Sequence, residues 1–262
     1  MIINSFDNET AAKINPKPRE ERLECDACII TFSHNIEDYV LKNYDVEEYG
    51  SISTVTGKTP IYKINYKDKV FAFYKTYMGA PVAVGCLEDV TEVIDTKNFI
   101  VFGGSGCLNK DIARGKLMIP TEAYRDEGTS YHYIPAADYI EIKNADKVAE
   151  YMESKGLPYV KGKTWTTDSF YRETEGNMQK RKAEGCISVE MECSAYQAVC
   201  DFRNYELYYF LSSGDLLDSP EWTSRLTNND EYTNTQHDPR LFETAIGLAD
   251  YITLENKKNK SI

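Results

Sequence analysis

Two glutamates, Glu190 and Glu192, sit in Gly185-Cys-Ile-Ser-Val-Glu-Met-Glu-Cys-Ser-Ala-Tyr196, where an apolar run passes into a helix. Carboxylates in apolar surroundings are rare without a partner, so the pair reads either as part of a binding site or as acids at a helix N-terminus, where the helix dipole favours them. A third acid follows in the same manner: Glu206-Leu-Tyr-Tyr-Phe-Leu211 reads as a buried strand running into Ser212-Ser-Gly-Asp215. Ligands of open α/β sheets lie outside the carboxyl ends of the strands, so the three acids are expected to converge on one pocket. Such a set suits a sugar diol and a protonated ring nitrogen. Gly103-Gly-Ser-Gly106, behind the apolar strand Asn98–Phe102, has two readings. Its backbone N–H groups can cradle an anion or approach a flat ligand, or the glycines serve a tight turn with positive φ. Leu108-Asn-Lys-Asp111 follows without the spacing of a G-x-G-x-x-G or Walker loop, so no nucleotide cofactor is implied.

The elements that position these residues alternate. Cys28–Phe32 reads as a strand and Ile36–Lys42 as a helix; Val55–Lys63 and Val70–Thr76 read as neighbouring strands joined by Asn65-Tyr-Lys-Asp-Lys69. A helix runs from Met78-Gly-Ala-Pro81 to about Asp95, with Pro81 in its first turn. Leu117–Pro120 and Lys161–Thr167 add strands around a helix at Ala145–Ser154, and helices to Phe202 and over Pro239–Thr253 complete the pattern. It predicts an α/β fold with a largely parallel or mixed sheet. Residues 1–24 are polar, contain Pro16 and Pro18, and read as an N-terminal arm on one domain, 25–262.

Composition narrows the function. A chain of 262 residues with 42% hydrophobic and 27% charged residues is ordinary for one globular domain. The net charge of −12 disfavours nucleic acid and anionic membranes. No apolar run reaches the length of a membrane span and the first residues lack a basic, then apolar, leader, so a cytoplasmic protein is expected. Seven scattered cysteines, odd in number, read as small buried hydrophobes of a reducing compartment; Cys25-Asp-Ala-Cys28 lacks a second pair at zinc spacing. His34 reads as a polar contact or an exposed loop residue, His132 as packed in its loop, His237 as exposed. With no H-x-x-x-H among them, no catalytic metal is expected.

Taken in order, the segments resemble the nucleoside phosphorylase family that includes uridine phosphorylase and the hexameric purine nucleoside phosphorylases. The pieces are Tyr77-Met-Gly-Ala-Pro81, Phe99-Ile-Val-Phe-Gly-Gly-Ser-Gly106, Arg125-Asp-Glu-Gly-Thr-Ser-Tyr-His-Tyr133, Thr167-Asp-Ser-Phe-Tyr171, Val189-Glu-Met-Glu192 and Gly214-Asp215. The resemblance implies a single α/β domain around a mixed, mostly parallel, barrel-like sheet flanked by helices, phosphorylase/hydrolase-like, assembling as a homodimer or as a hexamer of three dimers. By position it implies that Glu192 accepts the ribose hydroxyls with Met191 and Glu190 beside it. Phe170 and Val189, with Gly106 and Ser105, would hold the base, Asp215 would be the general acid at purine N7, and Arg225 would hold Asp215. The family's phosphate cations are missing: Glu37 and Val101 stand where it has arginines, and Ser33, Gly104, Ser105 and Lys58, or Lys75, are left as phosphate contacts. The uracil-reading insertion has no counterpart between Tyr171 and Gly185. The expected activity is phosphorolysis of a nucleoside, purine more than pyrimidine, with inorganic phosphate as co-substrate and no cofactor. The alternatives are a hydrolytic nucleosidase of the same fold and a non-catalytic nucleoside-binding protein.

Overall fold

Runs without polar alternation become central strands, and runs with one apolar face become edges or helices. A computed structural model describes residues 1–55, 57–112, 116–218 and 238–259. Its strands are β1 (Leu23–Glu24), β2 (Ala27–Thr31), β3 (Val46–Thr54), β4 (Gly57–Tyr66), β5 (Lys69–Lys75), β6 (Ile94–Asp95), β7 (Asn98–Cys107), β8 (Leu117–Asp126), β9 (Tyr139–Glu141), β10 (Tyr159–Thr167), β11 (Cys186–Glu190) and β12 (Glu206–Leu216). The helices are α1 (His34–Asn43), α2 (Ala80–Val90), α3 (Ala145–Ser154), α4 (Glu175–Ala183), α5 (Cys193–Arg203) and α6 (Pro239–Asn259). β2 is buried at every position, and β7 is buried from Phe99 to Gly103.

The main sheet runs β11-β10-β8-β12-β7-β2-β5-β4-β3, with β9 beside β8. β11 returns to pair antiparallel with β7 through Ser188–Cys107 and Val189–Gly106, which closes β7, β12, β8, β10 and β11 into a barrel. β2, β5, β4 and β3 extend the sheet from β7. Alternating side chains feed two cores: Ile30, Tyr74 and Val101 pack toward Tyr196 and Val199 of α5, whereas Ile29, Phe73 and Ile100 pack toward Phe242 and Ile246 of α6. Burying strands on both faces is the main source of stability, at about 25 cal/mol per Å² of apolar surface removed from water. It also makes the strand ends rigid supports for a site.

Three expectations change. β12 does not stop at Leu211 but continues to Leu216, so Ser212–Asp215 lies within the strand. Its register on β7 shifts between Ser213 and Leu216, across Gly214 and Asp215. The glycine segment is also strand rather than turn, and none of its glycines has a positive φ. Close approach is the reason for them: a Cβ at Gly103 would stand 3.0 Å from the Phe32 ring, and one at Gly106 would stand 2.5 Å from Leu217 and 2.7 Å from Val189. α2 ends at Val90, not near Asp95. β3 and α4 were not foreseen, because β3 is an edge strand with one buried residue, Ile52, and α4 buries only Met178 and Arg181.

From Lys17 onward the N-terminal segment is tied down. The N–H groups of Lys17 and Arg19 donate to the Glu92 side chain and carbonyl at 2.6 and 2.9 Å, and Leu23 of β1 enters a parallel pair with β6.

A Cβ on Gly214 would lie 2.8 Å from the carbonyl oxygen of Ser105, backbone against backbone. Gly214→Ala should therefore force β7 and β12 apart and cost about 1–3 kcal/mol in urea unfolding. Wild-type stability in that variant would show that the strands can yield there.

Candidate functional site

The break in the ladder alongside β7 opens a cavity. On that edge of β7, pairing with β2 ends at Phe102 and pairing with β11 begins at Gly106. Gly103 to Ser105 face the gap with no partner strand there among the described residues. A cavity of about 670 Å³ occupies it, a volume usual for small-molecule sites. β7 contributes Gly104, Ser105 and Gly106 to its wall; β11 and the turn after it contribute Val189, Glu190, Met191 and Glu192; β12 contributes Asp215. Phe170 completes the expected set, from a short 3-10 turn at Phe170–Arg172, with its ring 4.1 Å from that of Tyr171.

Glu190 and Glu192 do different work. Glu190 accepts N–H bonds from Glu192 at 2.8 Å and Cys193 at 2.6 Å through Oε2, and the Thr166 hydroxyl at 2.6 Å through Oε1. It thus caps the first N–H groups of α5, where the helix dipole favours an anion. Ser194 N–H donates to Thr166 Oγ1 at 3.1 Å and extends the same anchor. Burial pushes the Glu190 carboxyl up, and these donors pull it back. Glu192 is equally buried and accepts backbone N–H groups only, from Gly79 on Oε1 at 2.6 Å and from Met191, among the described residues. Gly79 has φ of 100°, a conformation that a side chain would strain, so a glycine is needed for its N–H to reach the carboxylate. Burial, and then the Glu190 charge, push the Glu192 carboxyl up to about 8.

The expected phosphate contacts need correction. Ser33 does not line the cavity; its hydroxyl accepts the Ile36 N–H at 3.3 Å as the cap of α1, and the neighbouring Phe32 faces the cavity instead. Lys58 is exposed on β4 and paired with Glu48 at 3.0 Å, away from the lining. Lys75 pairs with Glu37 at 3.3 Å, and Val101 is buried in the core. Arg225 and His237 lie outside the described residues. His34 and His132 are exposed and line no part of the cavity. The described lining holds five acids, Glu173, Glu175, Glu190, Glu192 and Asp215, and no Lys, Arg or His. Glu173 and Glu175 escaped sequence reading because Arg-Glu-Thr-Glu175 looks like any solvated loop and only the fold turns it inward. Among the described residues no cluster of three or more His, Cys, Asp or Glu is arranged to hold a metal ion, and no helix is long and apolar enough to cross a membrane.

A carboxyl whose folded-state affinity for its proton is raised contributes stability that is complete below its unfolded value, near 4.5 for Glu192, and is lost as pH rises toward about 8. Glu173, pushed up to about 7, acts in the same sense. Asp218, Asp238 and Asp250 are lowered and act oppositely, but only in the acid range. Unfolding free energy of the ligand-free protein should thus fall from about pH 5 to about pH 8, and Glu192→Gln should flatten the fall. An identical slope in the two proteins would remove Glu192 as its source.

Comparison with known proteins agrees with this architecture. The family profile described as the phosphorylase superfamily matches residues 26–241. A DeoD-type purine nucleoside phosphorylase of Bacillus subtilis (strain 168) is 26% identical over 208 residues, covering 77% of this chain and 83% of the relative. Its counterpart in Bacillus thuringiensis (strain Al Hakam) is 28% identical over 154 residues, 58% of this chain and 64% of that one. Among solved structures, the fold superposes on a purine nucleoside phosphorylase from Toxoplasma gondii in complex with immucillin-H with a TM-score of 0.72 at 14% identity, covering 94% and 99% of the two chains. It superposes on a uridine phosphorylase from Vibrio fischeri ES114 with a TM-score of 0.71 at 20% identity, covering 91% and 99%. With the profile spanning most of its length and a barrel of the same architecture behind it, the chain belongs to the phosphorylase superfamily.

Proposed function

We propose that the cavity cleaves the N-glycosidic bond of a nucleoside, purine in preference to pyrimidine, and transfers the ribosyl group to inorganic phosphate, with no other cofactor. The observation that carries this is Glu192: a buried carboxylate opening on the same cavity as Asp215, held by backbone donors with no side-chain donor among the described residues. A ribose offers two adjacent hydroxyls, which satisfy such a carboxylate bidentately. Met191 underlies the sugar, Glu190 fixes the turn that presents Glu192, and Phe170 and Val189 hold the base against Ser105 and Gly106. As the bond from the sugar to the base breaks, its electrons leave with the base and positive charge grows on the ribose ring. The acidic wall favours that charge, Asp215 gives a hydrogen bond or proton to N7, and a phosphate oxygen bonds to the anomeric carbon. Gly104 and Ser105, on the unpaired edge of β7, supply the uncharged phosphate cradle.

The protein works, under this proposal, in the cytoplasm as a homodimer or a trimer of dimers, with residues 1–24 as an arm on domain 25–262. The seven cysteines, all free, support the reducing compartment, and the net charge of −12 disfavours nucleic acid and anionic membranes. A second reading, hydrolysis by water, is favoured by one observation: the described lining has no cation to hold a dianion. Phosphate without arginine forks binds weakly.

Titrating phosphate separates the two. Phosphorolysis of inosine or adenosine should rise saturably with phosphate and yield ribose 1-phosphate; release of free ribose at a rate indifferent to phosphate would replace it by hydrolysis. Binding without any product would leave only the non-catalytic alternative.

Two substitutions test the roles. Glu192→Gln should fold and lose roughly 2–4 kcal/mol of transition-state binding, since an amide cannot accept both hydroxyls as a charge; full turnover would sink the ribose assignment. Asp215→Asn should slow unactivated purine nucleosides more than 7-methylated ones, whose base already carries positive charge. Equal losses would argue against proton donation at N7.

A further inference from the structure

Glu173 lies three residues beyond Phe170 and closes its 3-10 turn, its N–H donating to the Phe170 carbonyl at 3.2 Å. One short turn therefore brings an aromatic face and a carboxyl to the same cavity wall. The Glu173 side chain is half-buried, and no described residue gives it a hydrogen bond or an ion pair. The same lining holds four further acids, Asp215 from β12, Glu175 from α4, and Glu190 and Glu192 from the β11–α5 turn, and the charge of Asp215 acts on Glu173. A carboxyl half-buried among like charges with no donor is costly, and perturbed groups of this kind cluster at functional sites. A donor supplied by the ligand offsets that cost.

Resting on the nucleoside cleavage proposed above, we infer that Glu173 reads the base: its carboxyl hydrogen-bonds the 6-substituent of a purine whose N7 lies at Asp215, and favours 6-aminopurine nucleosides. N7 and the 6-substituent are neighbours on one edge of the ring, and Asp215 and Glu173 are close enough for the charge of one to act on the other. Phe170, fixed to the same turn, stacks on the ring and sets its depth. An ionised Glu173 accepts from a 6-amino group; a protonated one donates to a 6-oxo group. Burial, and then the Asp215 charge, push this carboxyl up to about 7, so both forms exist around neutrality.

The expected signature is a pH-dependent preference. Between about pH 6 and pH 8 the ratio of kcat/KM for adenosine to that for inosine should rise about tenfold in the wild-type enzyme, the worth of one hydrogen bond to a charged group. Titration of Glu192, Glu190, Glu175 and Asp215 acts through the shared sugar, the cavity wall or N7, which both nucleosides present, so it cancels from the ratio to first order. In Glu173→Gln, which is isosteric and both donates and accepts, the ratio should be flat with pH while both nucleosides still turn over; Glu173→Ala should also give a flat ratio. A ratio flat in the wild type, or rising equally in the variants, overturns the assignment while leaving nucleoside cleavage standing. A wild-type enzyme that cleaves neither nucleoside overturns the cleavage proposal and this assignment together.

Discussion

The site depends on one buried carboxylate that never needs to touch a ligand. Glu190 gathers two backbone N–H groups and a hydroxyl at the point where β11 becomes α5. Charge-assisted bonds of this kind contribute about 1.5–3 kcal/mol each, and here they offset part of the burial that raises the carboxyl's affinity for its proton. With these donors taken by Glu190, Glu192 at the head of the helix is left to open on the cavity. Removing Glu190 would strand the helix donors and release the turn, so it is a positioning residue as much as part of the wall.

The same economy of backbone governs the opposite side. The barrel closes through β11 on β7, and the gap between this closure and the end of β2 makes the cavity. The gap is narrow because Gly103, Gly106 and Gly214 let Phe32, Leu217 and the Ser105 backbone approach where a Cβ would collide. Register does the rest. The irregularity in β12 after Ser213 falls at Gly214 and Asp215, and Asp215 lines the wall there. Side chains at such a break are held by the rigid strands before them, which is the preorganisation an active site needs.

What the sequence disclosed follows from where the physics is local. Apolar continuity marks β2, β7 and the first half of β12, and the helix at Ala145–Ser154 falls where its amphipathic spacing predicts. Acids beside such runs were legible for the same reason: Glu190, Glu192 and Asp215 contradict their surroundings, and all three line the cavity. β3 was not legible, since an edge strand exposing Glu47, Glu48 and Tyr49 carries no alternation to detect. Glu173 and Glu175 were not legible either, because their segment is polar and only the return of the chain over the barrel turns it inward. The lysines offered as phosphate contacts differ from the acids in position: Lys58 and Lys75 lie off the cavity lining, each beside a glutamate, Glu48 and Glu37.

Five carboxylates in one cavity cannot all be ionised near neutrality at bearable cost, and Glu192 and Glu173 are raised by burial first and by a neighbouring like charge second. The two halves of the proposed reaction then make opposite demands. A ribose diol, and the positive charge that grows on the sugar, favour an ionised wall; a phosphate dianion favours a wall that keeps its protons. A Lys or Arg in the lining would reconcile them, as charge of either sign could then be met locally, but the described lining has none. What remains for an anion is the peptide edge of Gly103 to Ser105, whose N–H dipoles attract it without adding a titrating group. Under the proposed function, the competition between phosphate and water is therefore decided at that short edge of β7, by dipoles working against the field of the acids assigned to the sugar.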